Sequence, residues 1–321
     1  MSAPLAELLE DRGEAAAGPD FFRSRPFLDA ESVTHTLRIE AGDAELFAPL
    51  IVREIGAGPE RDAISPYGYP GLVDASDIDH TRGGSKSEAR IDPATIDFSA
   101  TGLVSIFLRH TLAGSPLRGA TERNVVLVAD PALPAKSRGS DRNRINKNLR
   151  LGYSLRIVPG PQTSAEERAG FLVAYEQTMR RTGAAERYFF GGAYFDRILE
   201  SEQTWLALAH APDGPVAAAS VAARSDGFLH YYLSGTADSH LRDSPMKNVV
   251  GALTGLAAEL GLPLNLGGGI SAGDRLEEFK RGFANRELSW RTSEIVCDPA
   301  AYERLSTGNP PGGFFPAYRS S

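Results

Sequence analysis

Short apolar runs alternate with Pro- and Gly-rich loops in the first half of the chain. The pattern predicts strands over residues 34–39 and 45–52, and buried strands over 102–109 and 124–129. Between them lie the loop SPYGYPG at residues 65–71 and a polar stretch, 74–94, with Gly83 and Gly84 at its centre. Residues 1–30 are rich in Ala, Gly and acids and read as a partly ordered lead-in. The turn-rich stretch 131–140 is the expected domain boundary.

The second half is more regular. Residues 153–158 read as a strand. Ser164 and Glu167 have the spacing of a capping box, and Phe171, Tyr175 and Met179 follow at helical spacing, which predicts a helix over 165–181. Strands are expected over 204–211 and 216–224, joined at Pro212, Asp213 and Gly214, with a third over 228–234. A loop over 235–243 leads to Ser244 and Pro245, read as an N-cap and first helical position. Val249, Val250, Leu253, Leu256, Ala257 and Leu260 line one face of the helix that follows, and Gly261 ends it. A short apolar strand over 262–266 precedes three glycines, Gly267 to Gly269. Asp274 and Glu277 then start a helix with Leu276, Phe279 and Phe283 on one stripe. This order of elements is α+β.

Composition narrows the function. The 321 residues carry a net charge of −7, and residues 1–62 hold 13 acids against 6 bases. The remainder is balanced, so the chain is not a basic nucleic-acid coat. Residues 138–156 depart from this, with six bases against Asp141 alone. Such a segment either contacts phosphates or forms a solvated linker or helix face. A single cysteine, Cys297, excludes an intrachain disulfide framework and points to a reducing compartment. No export signal is visible at the N-terminus, and no apolar run of about 18 residues predicts a membrane span. The chain is expected to be cytoplasmic.

Lys280 is the most informative candidate. At about 100° per residue it lies roughly 50° from the centre of the Leu276–Phe279–Phe283 stripe, at the edge of the buried face. Its ammonium either snorkels to solvent or stands in a partly dry cleft, where it would stabilise an oxyanion. Arg242 and Lys247 flank a helix start, a place that favours anions. Glycine is absent from residues 242–250, which weakens a coenzyme A loop; a plainly capped helix is the alternative. Gly267 to Gly269 lack dinucleotide spacing and read as a tight turn. Asp74, Asp77, Asp79 and His80 form either a chelating or a solvated loop. His110 is either a base or a satisfied histidine at the core edge. Tyr67, Tyr69, Tyr231 and Tyr232 either line a groove or simply pack. No metal spacing, nucleophile elbow or P-loop occurs.

The motifs Tyr67-Gly68-Tyr69-Pro70-Gly71, Ser105-Ile106-Phe107-Leu108-Arg109-His110 and Arg144-Ile145-Asn146-Lys147-Asn148 appear in that order. Tyr231-Tyr232-Leu233-Ser234-Gly235, Leu266-Gly267-Gly268-Gly269 and Phe279-Lys280-Arg281-Gly282-Phe283 follow. Together they resemble the Fem-type peptidoglycan-bridge aminoacyltransferases of the GNAT superfamily, from about residue 35 to about 305. The long coiled-coil arm of some members has no counterpart here.

The resemblance implies two tandem GNAT-like domains with mixed, mostly antiparallel sheets flanked by helices. Residues 31–140 would form the first and 141–299 the second, which carries the transfer site; residues 300–321 are open to returning to the first. It implies transfer of an aminoacyl group from aminoacyl-tRNA to an amine of a peptidoglycan precursor or a natural-product intermediate. Lys280, with Phe279 beside it, would stabilise the transition state. Tyr67, Tyr69, Arg187, Tyr188 and Tyr232 would bind the acceptor, and Arg242, Lys247, Arg144 and Lys147 the donor. No cofactor is implied beyond the tRNA co-substrate. The alternatives are a GNAT enzyme using acetyl-CoA on a small amine, and a GNAT-fold binding module without catalysis.

Overall fold

The computed structural model describes residues 3–79, 91–269, 271, 273–308 and 313–320. The chain divides into two compact units. Unit 1 is Met1–Arg123 with Trp290–Ser321, and unit 2 is Asn124–Ser289. Unit 1 opens with β1 (Leu5–Leu9), α1 (Arg25–Ala30), β2 (His35–Ala41), β3 (Ala44–Glu54), β4 (Arg61–Ile64), β5 (Val73–Asp74), α2 (Ala75–Asp79) and β6 (Ser105–Arg109). β7 (Thr121–Ala129) leads into unit 2. There follow α3 (Gly139–Arg150), β8 (Ser154–Pro159), α4 (Ala165–Thr182), α5 (Gly192–Ile198), β9 (Thr204–His210), β10 (Val216–Ser225), β11 (Phe228–Thr236), α6 (Met246–Glu259), β12 (Leu264–Gly267) and α7 (Arg275–Arg281). β13 (Arg286–Val296) returns to unit 1, and α8 (Pro299–Ser306) follows it. The architecture is α+β.

In unit 1 the strands run in the order β1-β2-β3-β4-β6-β13, with β5 on β3. Alternation along β2 sends Leu37 and Ile39 into the core and leaves Arg38 half-exposed, where Glu7 and Glu45 accept from it at 2.7 and 2.5 Å. Leu37, Ile39, Leu50, Ile106 and Leu108, each fully buried, share one cluster with Ile295 of β13.

Residues 3–30 are more ordered than the partly ordered lead-in expected from composition. Leu5–Leu9 pair with β2, and Phe21, Phe22, Phe27 and Leu28 are fully buried. The phenylalanine rings meet at 5.1–5.4 Å, and Phe22 stands 5.6 Å from Tyr69. The Phe22 ring occupies the space that a Cβ at Gly68 would need, and Gly68 has φ +111. Ala- and acid-rich composition concealed three ring anchors.

The unit boundary also differs from the expected one. Residues 131–140 join β7 to α3 within unit 2, while the division falls inside β7. Residues 290–321 belong to unit 1, because Thr292–Val296 pair antiparallel with β6. Turn residues marked a surface loop; strand pairing decided the boundary.

In unit 2 the order is β7-β12-β11-β10-β9-β8, antiparallel except for the parallel pair β11 and β12. Ala217, Ala218, Ala219, Ala222 and Ala223 of β10 are buried, and their small side chains let helices come close. α6 packs Val249, Val250, Leu253 and Ala257 onto this core. α4 has the expected capping box, with Ser164 and Glu167 satisfying each other's backbone N–H. A Cβ at Gly235 would overlap the backbone of Ala174 and Tyr175, so β11 and α4 meet where the strand has no side chain.

Candidate active site

β12 ends at Gly267, whose φ of +72 turns the chain sharply and disfavours any residue with a Cβ. The next residue, Gly268, lies against β7: a Cβ there would stand 2.5 Å from the Val125 carbonyl oxygen. Asn124 Nδ2 donates to the Gly269 carbonyl at 3.1 Å. Gly267 still pairs with Leu127 of β7, across a register shift after Asn265, so the chain bends there at a bulge and Gly268 and Gly269 carry it out of the strand. Asp274 then caps α7 by accepting from Glu277 N at 2.7 Å.

α7 has seven residues, and its buried face differs from the predicted stripe. Leu276 is 39% exposed, whereas Glu277 and Lys280 are buried, with Phe283 just beyond. Lys280 Nζ donates to the Gly268 carbonyl at 2.7 Å. Lys280 is 7% exposed, so it neither sits at the edge nor snorkels. Burial pushes its pKa down to about 8, against the opposing field of Asp274. An ammonium has three hydrogens, and Gly268 takes one. Phe279 packs on Phe283 at 5.7 Å and against the unit 2 core.

The tyrosine candidates separate. Tyr67 and Tyr69 belong to unit 1; Tyr67 N donates to Glu31 at 2.8 Å, and Tyr69 packs on Phe22 and, at 6.0 Å, on Trp290. Tyr232 belongs to unit 2, where its hydroxyl lies 2.9 Å from that of Tyr194 on α5. Tyr194 stacks on Phe190 at 4.2 Å. Nearby in sequence, Tyr188 receives the Tyr175 hydroxyl on its carbonyl at 2.6 Å, and exposed Arg187 lies over the Tyr188 ring at 5.1 Å. Tyr231, by contrast, accepts from Ser234 at 2.6 Å, and burial pushes its hydroxyl up to about 12.

The four donor-site candidates also part. Lys247 is engaged by Asp141, 2.6 Å away and 5% exposed. Arg144 stands 3.9 Å from Asp243. Lys147 and Arg242 are exposed. Four of the six bases of residues 138–156 lie on α3, with Arg142, Lys147 and Arg150 exposed as on a solvated helix face, while Arg156 lies on β8. The other face of α3 is anchored, because Asn148 is fully buried and donates to Asn248 and to the Asp243 carbonyl at 2.7 and 2.8 Å. Ser244 does not cap α6. It adopts φ +50, the helix starts at Met246, and Pro245 takes the N-cap position without a side-chain hydrogen bond. A helical turn over Asp238–Asp243 occupies most of the expected loop.

His110 is a core histidine. It is fully buried, its Nε2 lies 2.8 Å from Ser293 Oγ, and burial pushes its pKa down to about 4. His80 of the acidic loop lies outside the described residues. Among the described residues no group of three His, Cys, Asp or Glu is placed to hold a metal ion. No described helix is long and apolar enough to cross a membrane. Two recesses, of about 250 Å³ beside Glu122 and Arg291 and about 310 Å³ beside Trp205 and Leu256, lack Lys280 among their walls.

Sequence reasoning missed Asn265, Asn124 and Tyr194, which hold the glycine bend and Tyr232. Asn265 did give a signal: it is a lone amide within an apolar strand, and a buried amide needs partners.

Residues 135–281, which include Lys280 and Phe279, match the family model described as an acetyltransferase (GNAT) domain. No curated protein matches the chain. Among solved structures, a crystal structure of FemX is similar, with TM-score 0.60 and 11% identity over 92% of this chain and 97% of that one. The C-terminal domain of a putative lysylphosphatidylglycerol synthetase from Agrobacterium fabrum has TM-score 0.54 and 16% identity, covering 91% and 92% of the two chains. The chain is therefore an acyltransferase with a GNAT domain over residues 135–281, built on a Fem-like fold.

Proposed function

We propose that this acyltransferase takes an aminoacyl group from aminoacyl-tRNA and transfers it to an amine of a peptidoglycan precursor or natural-product intermediate. The observation that carries the reading is Lys280: a buried ammonium on α7, held by the backbone carbonyl that follows β12, in the GNAT domain. The acceptor amine attacks the ester carbonyl carbon, and a C–N bond forms. Negative charge collects on the carbonyl oxygen, where a hydrogen of Lys280 left over from Gly268 meets it. The C–O bond to the tRNA ribose then breaks, and the departing ribose oxygen takes up a proton to become a hydroxyl while the nitrogen of the new amide loses one to water. Orientation supplies much of the rest. The Tyr232–Tyr194 pair with Tyr188 and Arg187 would receive the acceptor.

Exposed Lys147 and Arg242, with Arg144, would contact donor phosphates; Lys247, already held by Asp141, would act by keeping α3 and α6 together. Such a donor places the reaction in the cytoplasm. The second reading, acetyl-CoA as donor, draws on the description of the matching family model. Against it, residues 242–250 lack glycine, and Pro245 removes an N–H where a pyrophosphate would seek one.

The test is a transfer assay with total tRNA charged with labelled amino acids and a pooled amine extract. Label should reach a small product, and ribonuclease treatment should abolish this. Transfer from acetyl-CoA alone would overturn the tRNA reading. No transfer from either donor would leave a binding module.

A further inference from the structure

Asn265 lies within β12 and is 2% exposed. Its Oδ1 accepts from Gly267 N at 2.8 Å. A backbone N–H can only donate, so that end of the carboxamide is the oxygen. The other end is the amino group, which stands 3.0 Å from His230 Nδ1 and donates to it. Nδ1 is then the bare nitrogen, and the ring hydrogen lies on Nε2, 3.2 Å from the Ser225 carbonyl, a group that can only accept. Backbone groups at both ends therefore set every hydrogen between them. His230 and Asn265 are register partners in the parallel pairing of β11 and β12, and both are buried.

The chain of bonds ends at the bend that holds Lys280. Gly267, fixed by Asn265, precedes Gly268, whose carbonyl receives the Lys280 ammonium. We infer that Asn265, held in turn by His230, is a positioning residue: it fixes the bend at Gly267 and Gly268 and so aims Lys280. The inference rests on the reading of Lys280 as the group that meets the oxyanion. A proton on His230 Nδ1 would set two donors face to face. Burial holds the pKa of His230 down to about 4, against Asp226 and the Ser225 carbonyl, which favour the proton. The neutral ring and its chain of bonds therefore persist at neutral pH.

The test reads Lys280 without any substrate. Trace acetylation with acetic anhydride, followed by peptide mass spectrometry, reports its reactivity relative to exposed Lys147 in the full-length protein. Asn265→Ala should raise relative labelling of Lys280 by about threefold or more, as the amine loses its fixed partner. Where transfer is measurable, kcat should fall about tenfold with KM little changed. Unchanged Lys280 labelling in folded Asn265→Ala overturns the inference. Should that variant not fold, histidine nitrogen NMR on the wild-type protein decides. An Nε2–H tautomer of His230 that persists to pH 5 supports the inference. An Nδ1–H tautomer, or titration near pH 6.5, overturns it. Altered labelling together with no transfer by any enzyme form would instead remove the catalytic reading of Lys280 and leave the positioning intact.

Discussion

Lys280 donates from Nζ to the carbonyl oxygen of Gly268 across 2.7 Å, which ties the last turn of α7 to the glycine bend after β12. An ammonium held this way is already oriented before substrate arrives. Lys280→Ala should lower kcat by about 100- to 1,000-fold, the range found when one oxyanion donor is lost. Lys280→Arg should not restore it, because a planar fork cannot replace a point charge beside Gly268. Steady-state kinetics of the transfer check both.

The same lysine sets a pH limit. Its pKa is pushed down to about 8, so the ammonium is lost as pH rises through 8. Transfer by the wild-type enzyme should therefore show a descending limb near pH 8. A pH–rate profile that keeps rising to pH 9.5 would contradict an ammonium role.

Stability should respond in the opposite sense. The unfolded lysine, near 10.5, holds its proton more tightly than the folded one. Below pH 8 both states are protonated, and burial of the charge costs about 3 kcal/mol. Between pH 8 and about 10.5 the folded state sheds the proton first, so wild-type stability rises relative to Lys280→Met. Urea unfolding of the pair at pH 7 and pH 10 measures the difference; a constant gap would show an unperturbed lysine.

Asp62 is fully buried in unit 1. Arg53 donates to it at 2.9 Å, and Arg319 at 2.5 and 3.1 Å. Replacing it removes the carboxylate that both arginines share, leaving Arg319 only the Glu54 carbonyl among the described residues. Asp62→Ala should cost about 3 kcal/mol in urea unfolding. It should also free the segment that carries Tyr318, whose hydroxyl lies 2.8 Å from Ser105 Oγ. Limited proteolysis should then cut near Arg319 first.

Two glycines of unit 2 should respond with opposite signs. Gly235→Ala would push a methyl group into the backbone of α4 at Ala174, and should destabilise by about 3 kcal/mol or more. Gly255 lies within α6 with nothing within 4 Å of an added Cβ. Gly255→Ala should stabilise by about 0.5–1 kcal/mol through helix propensity alone. Paired thermal melts give both signs.

Local pattern determined much of this protein. The capping box at Ser164 and Glu167, the Asp274 cap, the strands of the second half and the run of elements that makes the fold α+β all follow from short-range spacing, because caps and pleats are settled within a few residues. Lys280 stood out from its place near an apolar stripe. Tertiary structure alone decided that Leu276 faces out and Lys280 in, because the depth of a seven-residue helix depends on what lies beneath it. It alone brought Asn265 to His230 and Asp141 to Lys247, residues 35 and 106 positions apart. It also ordered residues 3–30 by burying Phe21, Phe22 and Phe27, and it returned residues 290–321 to unit 1 through strand pairing. Such partners meet only when the chain closes on itself, and no local spacing encodes that meeting.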